Sequence, residues 1–203
     1  DSGDYPFKRE LRTLWEFAKQ LEVGRGKPDT NTRVDYNFYV EGERVRIVPR
    51  PRGSPIDKVV SELMIFVNTE WGRRLAEADV AGIYRTQASN RTAMSVQAAP
   101  HEGLGVRQYA WSSSPLRRYV DLVNQRQLLA QLQGAPAPYQ RDERLLAIVR
   151  DFETAYDAYA DVQRALERYW CLRYLQQEGI TEADVTALRE NLVRFADIPL
   201  YTK

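Results

Sequence analysis

Between Trp111 and Leu122 the chain reads WSSSPLRRYVDL, three hydroxyls and a proline set directly before two adjacent arginines. Serine hydroxyls and guanidinium forks are phosphate-binding groups, and arginine can grip a phosphate with two parallel N–H donors. Proline loses no needed donor at a first helical position. A helix starting there would add unsatisfied N–H groups and about half a positive charge. The residues predict a phosphate-handling helix start built from Ser112, Ser113, Ser114, Arg117 and Arg118. A serine cap beside two surface arginines is the plainer reading of the same residues.

Other chemistry is sparse. The one histidine, His101, lies among Pro100, Glu102 and Gly103 in a predicted loop, so neither a zinc site nor a serine or cysteine triad assembles around it. Cys171, the only cysteine, allows no internal disulfide and sits in RYWCLRYL as a packed helical residue. Asp35, Asp57, Asp79 and Asp121 are isolated from one another, unlike the closely spaced carboxylates of a two-metal site. The 29 Lys and Arg nearly cancel the 28 Asp and Glu, so an anion site must be local. No apolar run approaches the roughly 18 residues of a membrane span, and the acidic start DSGDYPFK is no signal peptide. A cytoplasmic protein without membrane contact is expected.

Helices and short strands must position these groups. Apolar spacing predicts a helix over Pro6–Leu21, stopped by Gly24 and Gly26. VDYNFYV and RVRIVPR flank a Glu41–Gly42–Glu43 turn as a hairpin, with Pro49 and Pro51 ending its second strand. Ser54 and Pro55 open a central helix whose broad apolar face includes Val59, Val60, Leu63, Met64, Val67, Trp71 and Leu75. VAGIYRT reads as a buried strand, residues 87–105 mostly as loop, and the segment after Pro115 as a helix closed by Gly134. A long helix is expected from about Arg141 to Gln177, Thr181 as the cap of a short successor, and a final strand within ENLVRFADIPLY.

The order of three motifs, SELMIFVNTEWGRRL, IYRTQ and YAWSSSPLRRYVDLVNQRQL, resembles the ribonuclease II and ribonuclease R family, whose catalytic domain is called RNB. ERYWCLRYL is similar to the long helix that follows the RNB core. The resemblance implies an α+β fold, antiparallel strands packed with several long helices, here an incomplete, C-terminal part of an RNB domain. Residues 1–134 would be its core part, and residues 139–203 the long helix and exit segment. It further implies a processive 3′–5′ exoribonuclease that hydrolyses single-stranded RNA to nucleoside 5′-monophosphates with Mg²⁺.

On that resemblance Arg117 matches the catalytic arginine, Arg118 supports RNA or structure, and Glu62 matches an acidic residue that reads the sugar. A surface salt bridge is the competing role for Glu62. Gln87 stands where a histidine is common, and Gln163 where some members carry a glutamate facing RNA. No D-x-D-D motif is present, so the resemblance implies that Mg²⁺ is held by a missing N-terminal part and that this chain alone is inactive. The alternative is a catalytically inactive RNA-binding or interaction module, with Tyr36, Phe38, Tyr39 and Trp111 as candidate base-stacking rings, most of them expected in the core.

Overall fold

The apolar spacing after Pro6 becomes α1, Lys8–Arg25, in the computed structural model, which describes residues 3–28, 34–189 and 191–203. The helix starts later than expected, behind Phe7 in a left-handed conformation. It runs through Gly24 and ends where Gly26 takes φ 64. The chain divides into two compact units, Asp1–Thr30 with Pro55–Ala155 and Asn31–Ser54 with Tyr156–Lys203. This division falls inside the long helix.

In the first unit, α1 packs against α2, Pro55–Glu77. The buried face of α2 is narrower and more polar than its composition suggests, with Val59, Glu62, Asn68, Gly72 and Leu75 inside and Ile56, Val60, Phe66 and Trp71 exposed. Two short strands follow, β3 (Tyr84–Ala88) and β4 (Arg91–Ser95). They form a hairpin: β3 begins within the expected strand VAGIYRT, and β4 lies where the sequence suggested loop. Ser89 and Asn90, at φ 48 and φ 64, make the two-residue turn with both central residues left-handed that matches strand twist. After a 3₁₀ turn at Glu102–Leu104 come α3, Tyr119–Gln133, and the start of α4, Glu143–Gln177. Ile83, Tyr109, Trp111, Val120, Val123 and Leu145 are among the residues that fill the core between them.

The second unit holds a ribbon of β1 (Val34–Glu41) and β2 (Arg44–Pro51), joined by Gly42 and Glu43 with Gly42 at φ 60. Pro49 and Pro51 pair within β2 instead of ending it, because the outer edge of a two-stranded ribbon needs no N–H donor. The expected helix after Thr181 is absent. Val185–Arg189 forms β5 and joins β6 (Leu192–Phe195) and β7 (Tyr201–Thr202) in an antiparallel sheet. Phe38 and Ile47, opposed across the ribbon, pack with Cys171, Ile198 and Leu200 from the last turns of α4 and the tail. Along the middle of α4, Tyr159, Val162 and Leu166 are exposed, so its apolar stripe buries only its two ends. The fold is α+β, as expected.

Candidate functional site

The helix carrying the arginines begins four residues later than expected. Pro115, Leu116 and Arg117 form a protruding turn, closed by the Arg117 and Arg118 amides donating to Ser114 O at 3.2 and 3.1 Å. Arg118 is the N-cap, in extended conformation. The site is therefore a turn in front of a helix, and the helix end already has an internal anion. Asp121, fully buried in the first turn of α3, accepts the Ser114 amide at 2.8 Å and Arg118 Nη2 at 2.7 Å. A carboxylate near a helix start satisfies free N–H groups and complements the dipole.

The base of the turn is held by buried amides. Asn68 on α2 accepts the Ser112 amide at 3.0 Å and donates to Tyr109 Oη and Ser113 Oγ, both at 3.1 Å. Gln125 donates to Ser112 O at 2.7 Å, and Asn124 donates to Trp111 O at 2.8 Å while pairing with both backbone groups of Ile83. Gly72, one turn beyond Asn68, lets α2 approach the strand-like segment closely, since a Cβ there would lie 3.1 Å from Ala110 N. Asn68, Gly72, Asn124 and Gln125 were not singled out from the sequence. All four lie inside the quoted motifs, which was the one signal that could have found them.

The predicted site residues separate into distinct roles. Ser112 is completely buried, with its amide, carbonyl and hydroxyl all engaged, so it is not an open phosphate contact. Ser113 and Ser114 are half-buried at the turn. Arg118 is fixed, its guanidinium carbon 4.0 Å from the Trp111 ring centroid and its fork on Asp121. Arg85 lies 4.6 Å from the same ring. Trp111 is thus a buried platform for two guanidinium groups and presents no open face for a base. Arg117 is exposed, and its Nη2 donates a 3.5 Å hydrogen bond to Ser114 Oγ.

Glu62 lies in the same unit, but its carboxylate is engaged at both oxygens by Arg25, with the Nε contact at 3.1 Å and the Nη2 contact shorter. Arg25 Nη1 also donates to Leu104 O at 2.5 Å. The Glu62 side chain is only 2% exposed, so the ion pair is buried rather than superficial, with Arg25 as its partner. This geometry favours the ion-pair role over an open sugar contact. Gln163, in the other unit, is exposed on α4 and donates to Glu167 at 2.9 Å. Gln87 accepts the Gly103 amide at 2.8 Å and helps hold the loop around His101. His101 is buried beside Tyr109, and burial, reinforced by the Arg85 charge, lowers its pKa from 6.5. Among the described residues no three His, Cys, Asp or Glu side chains converge as a metal-binding group. No described helix is long and apolar enough to cross a membrane.

The sequence pattern of the RNB domain matches residues 87–134, which include the whole braced turn. Over this segment, and in its fold, the chain is similar to RNB exoribonucleases. It is 23% identical to the mitochondrial exoribonuclease II of Saccharomyces cerevisiae over 85% of its own length and 22% of that protein. Among solved structures, an active-site mutant of the Dss1 exoribonuclease of Candida glabrata superposes over 96% of this chain and 30% of its own, with TM-score 0.80 and 21% identity. Mycoplasma genitalium RNase R, solved with ribose-methylated single-stranded RNA, aligns over 99% of this chain and 42% of its own, with TM-score 0.75 and 14% identity. These RNB structures share the fold described above, and the chain spans less than half the length of each of these relatives.

Proposed function

We propose that this chain is the phosphate-gripping part of a 3′–5′ exoribonuclease acting on single-stranded RNA and releasing nucleoside 5′-monophosphates. The carrying observation is Arg117, an exposed guanidinium on a turn whose flanks are locked by Asn68 and Asp121. A cation held in advance where charge develops on a phosphate requires little reorganisation during reaction, which is how such groups lower barriers. In this reading Arg117 is catalytic, the Ser113 and Ser114 hydroxyls face phosphate oxygens, and Arg118 and Trp111 are positioning residues. Ser112 and the Arg25–Glu62 pair brace the site, and Gln163 contacts RNA from α4.

Mg²⁺ would activate water and neutralise phosphate charge. The described residues do not fit it, because no carboxylate cluster is present among them. We propose that its ligands belong to another part of the catalytic domain. The same observation supports a second reading, an RNA-binding module without hydrolysis. Incubating the chain with labelled single-stranded RNA and Mg²⁺ is expected to show binding without release of monophosphates. In an enzyme supplied with clustered aspartates, Arg117→Ala should lower turnover by about 10²-fold or more while changing affinity far less. Release by the chain alone would overturn the need for outside carboxylates. Lost affinity with unchanged turnover would reduce Arg117 to an anchor.

A further inference from the structure

A second cluster of basic and phenolic side chains lies along α3 beyond the Arg117 turn. Tyr119 and Arg126 are seven residues apart, two helical turns, and therefore on one face, with Arg126 about 10 Å further along the axis. Arg126 Nη1 donates to Tyr139 Oη at 2.9 Å, and the Tyr119 hydroxyl lies near enough to the same phenol for its pKa to be raised by it. Arg144, at the start of α4, places its guanidinium carbon 5.2 Å from the Tyr139 ring centroid. Tyr139 is itself immovable. It is 4% exposed, and Gln127 clamps its backbone with a donated and an accepted bond of 2.8 and 3.0 Å.

Two features point to an anion. Arg126 and Arg144 are exposed, and neither forms a salt bridge among the described residues, whereas Arg73, Arg118, Arg141, Arg164 and Arg173 all do. Both instead converge on a neutral phenol. Burial alone would raise the Tyr139 pKa, yet the bond from Arg126, the nearby Tyr119 hydroxyl and the two positive charges carry it below the usual tyrosine value. A phosphodiester offers two oxygens that share one negative charge, matching two guanidinium forks better than one phenol does. Tyr119, 49% exposed at the near end of the cluster, adds a ring on which a base can stack.

We propose that Tyr119, Arg126 and Arg144 form a second phosphate-binding site, which takes one backbone phosphate of the RNA strand whose end lies at Arg117. The site rests on the RNA reading above for its ligand. The test is the affinity of the 203-residue chain for a fluorescein-labelled single-stranded oligoribonucleotide, by anisotropy between 50 and 200 mM salt. Arg126→Gln and Arg144→Gln should each weaken binding roughly tenfold, the scale of one charge-assisted hydrogen bond. Because both arginines hold one phosphate, the double variant should reduce the salt slope by about 0.7 in total. Arg126→Lys should keep the wild-type slope. Unaltered melting of each variant confirms that only the surface has changed.

Binding with an unchanged slope in the double variant overturns the site and leaves the Arg117 reading standing. A slope reduced by about 1.4 means two separate phosphate contacts and overturns the shared site. No RNA binding by the wild-type chain overturns both the site and the function on which it rests.

Discussion

Replacing Asn68 with leucine keeps similar bulk in the core of the first unit but removes every side-chain bond that ties α2 to the Ser112 segment. The cost follows from the partners. The Ser112 amide belongs to a residue with no exposed surface, so it loses its acceptor without access to water, a penalty of about 1 to 3 kcal/mol. The Tyr109 hydroxyl, also buried, loses a donor worth about 1 kcal/mol, and the half-buried Ser113 hydroxyl adds little because solvent can reach it. Together these give roughly 2 to 4 kcal/mol of lost stability. Urea unfolding followed by tryptophan fluorescence and by far-ultraviolet circular dichroism measures it. Coincident transitions are required, because the chain has two compact units. A change below about 0.5 kcal/mol, the scale of an ordinary surface substitution, would refute the claim that this amide holds the turn.

Three further outcomes are expected. His101 is lowered from 6.5 in the folded protein, so the unfolded chain binds more protons just below that value. The stability associated with neutral His101 should be complete above about pH 6.5 and fall on acidification, and a His101→Gln variant should lose this component of the urea midpoint's pH dependence. Cys171 is fully buried and its pKa is pushed up to about 11, mainly by burial and further by Glu167, so a thiol reagent at pH 8 should label it slowly until the chain is denatured. Gly72→Ala gains helix propensity of about 1 kcal/mol. Its new methyl would nevertheless sit 3.1 Å from the Ala110 backbone nitrogen, which donates to Asn68 O, so a net loss of thermal stability is expected in a melting experiment.

Periodicity made the helices legible. The apolar spacings around Leu14, Val59, Val123 and Val149 each mark an observed helix, and glycines at 26 and 134 mark two of the ends. The β3–β4 hairpin escaped because β4 is five residues, RTAMS, without alternating hydrophobicity, and its turn rests on Ser89 and Asn90 adopting positive φ without a glycine. Thr181 misled because a cap-forming residue before mixed apolar positions suits a helix. Val185 and Thr186 are β-branched, and pairing with Val193 and its neighbours in β6 prevailed. The arginine segment stood out in the sequence but was geometrically misplaced. Pro115 fits a first helical turn equally well as a turn before one, and Asp121 seven residues later gave no local sign that it would claim the Ser114 amide.

That misplacement follows from a turn built on buried polar groups instead of apolar packing. Apolar contact is nearly indifferent to a one-residue slip, whereas hydrogen bonds are directional and leave costly unpaired groups when displaced. Asn124 grips both backbone groups of Ile83 and the carbonyl of Trp111, Gln127 joins Ala81 to Tyr139, and Asn68 fixes Ser112. Sliding Trp111–Ser114 by one residue would break its backbone bonds to Asn124, Asn68, Gln125 and Asp121 at about 1 to 3 kcal/mol each, a sum comparable with the stability margin of a domain. The register of the Arg117 turn is therefore set by α2 and α3 together. Arg117 is exposed at the tip while its backbone stays fixed, the arrangement that the proposed role on phosphate requires.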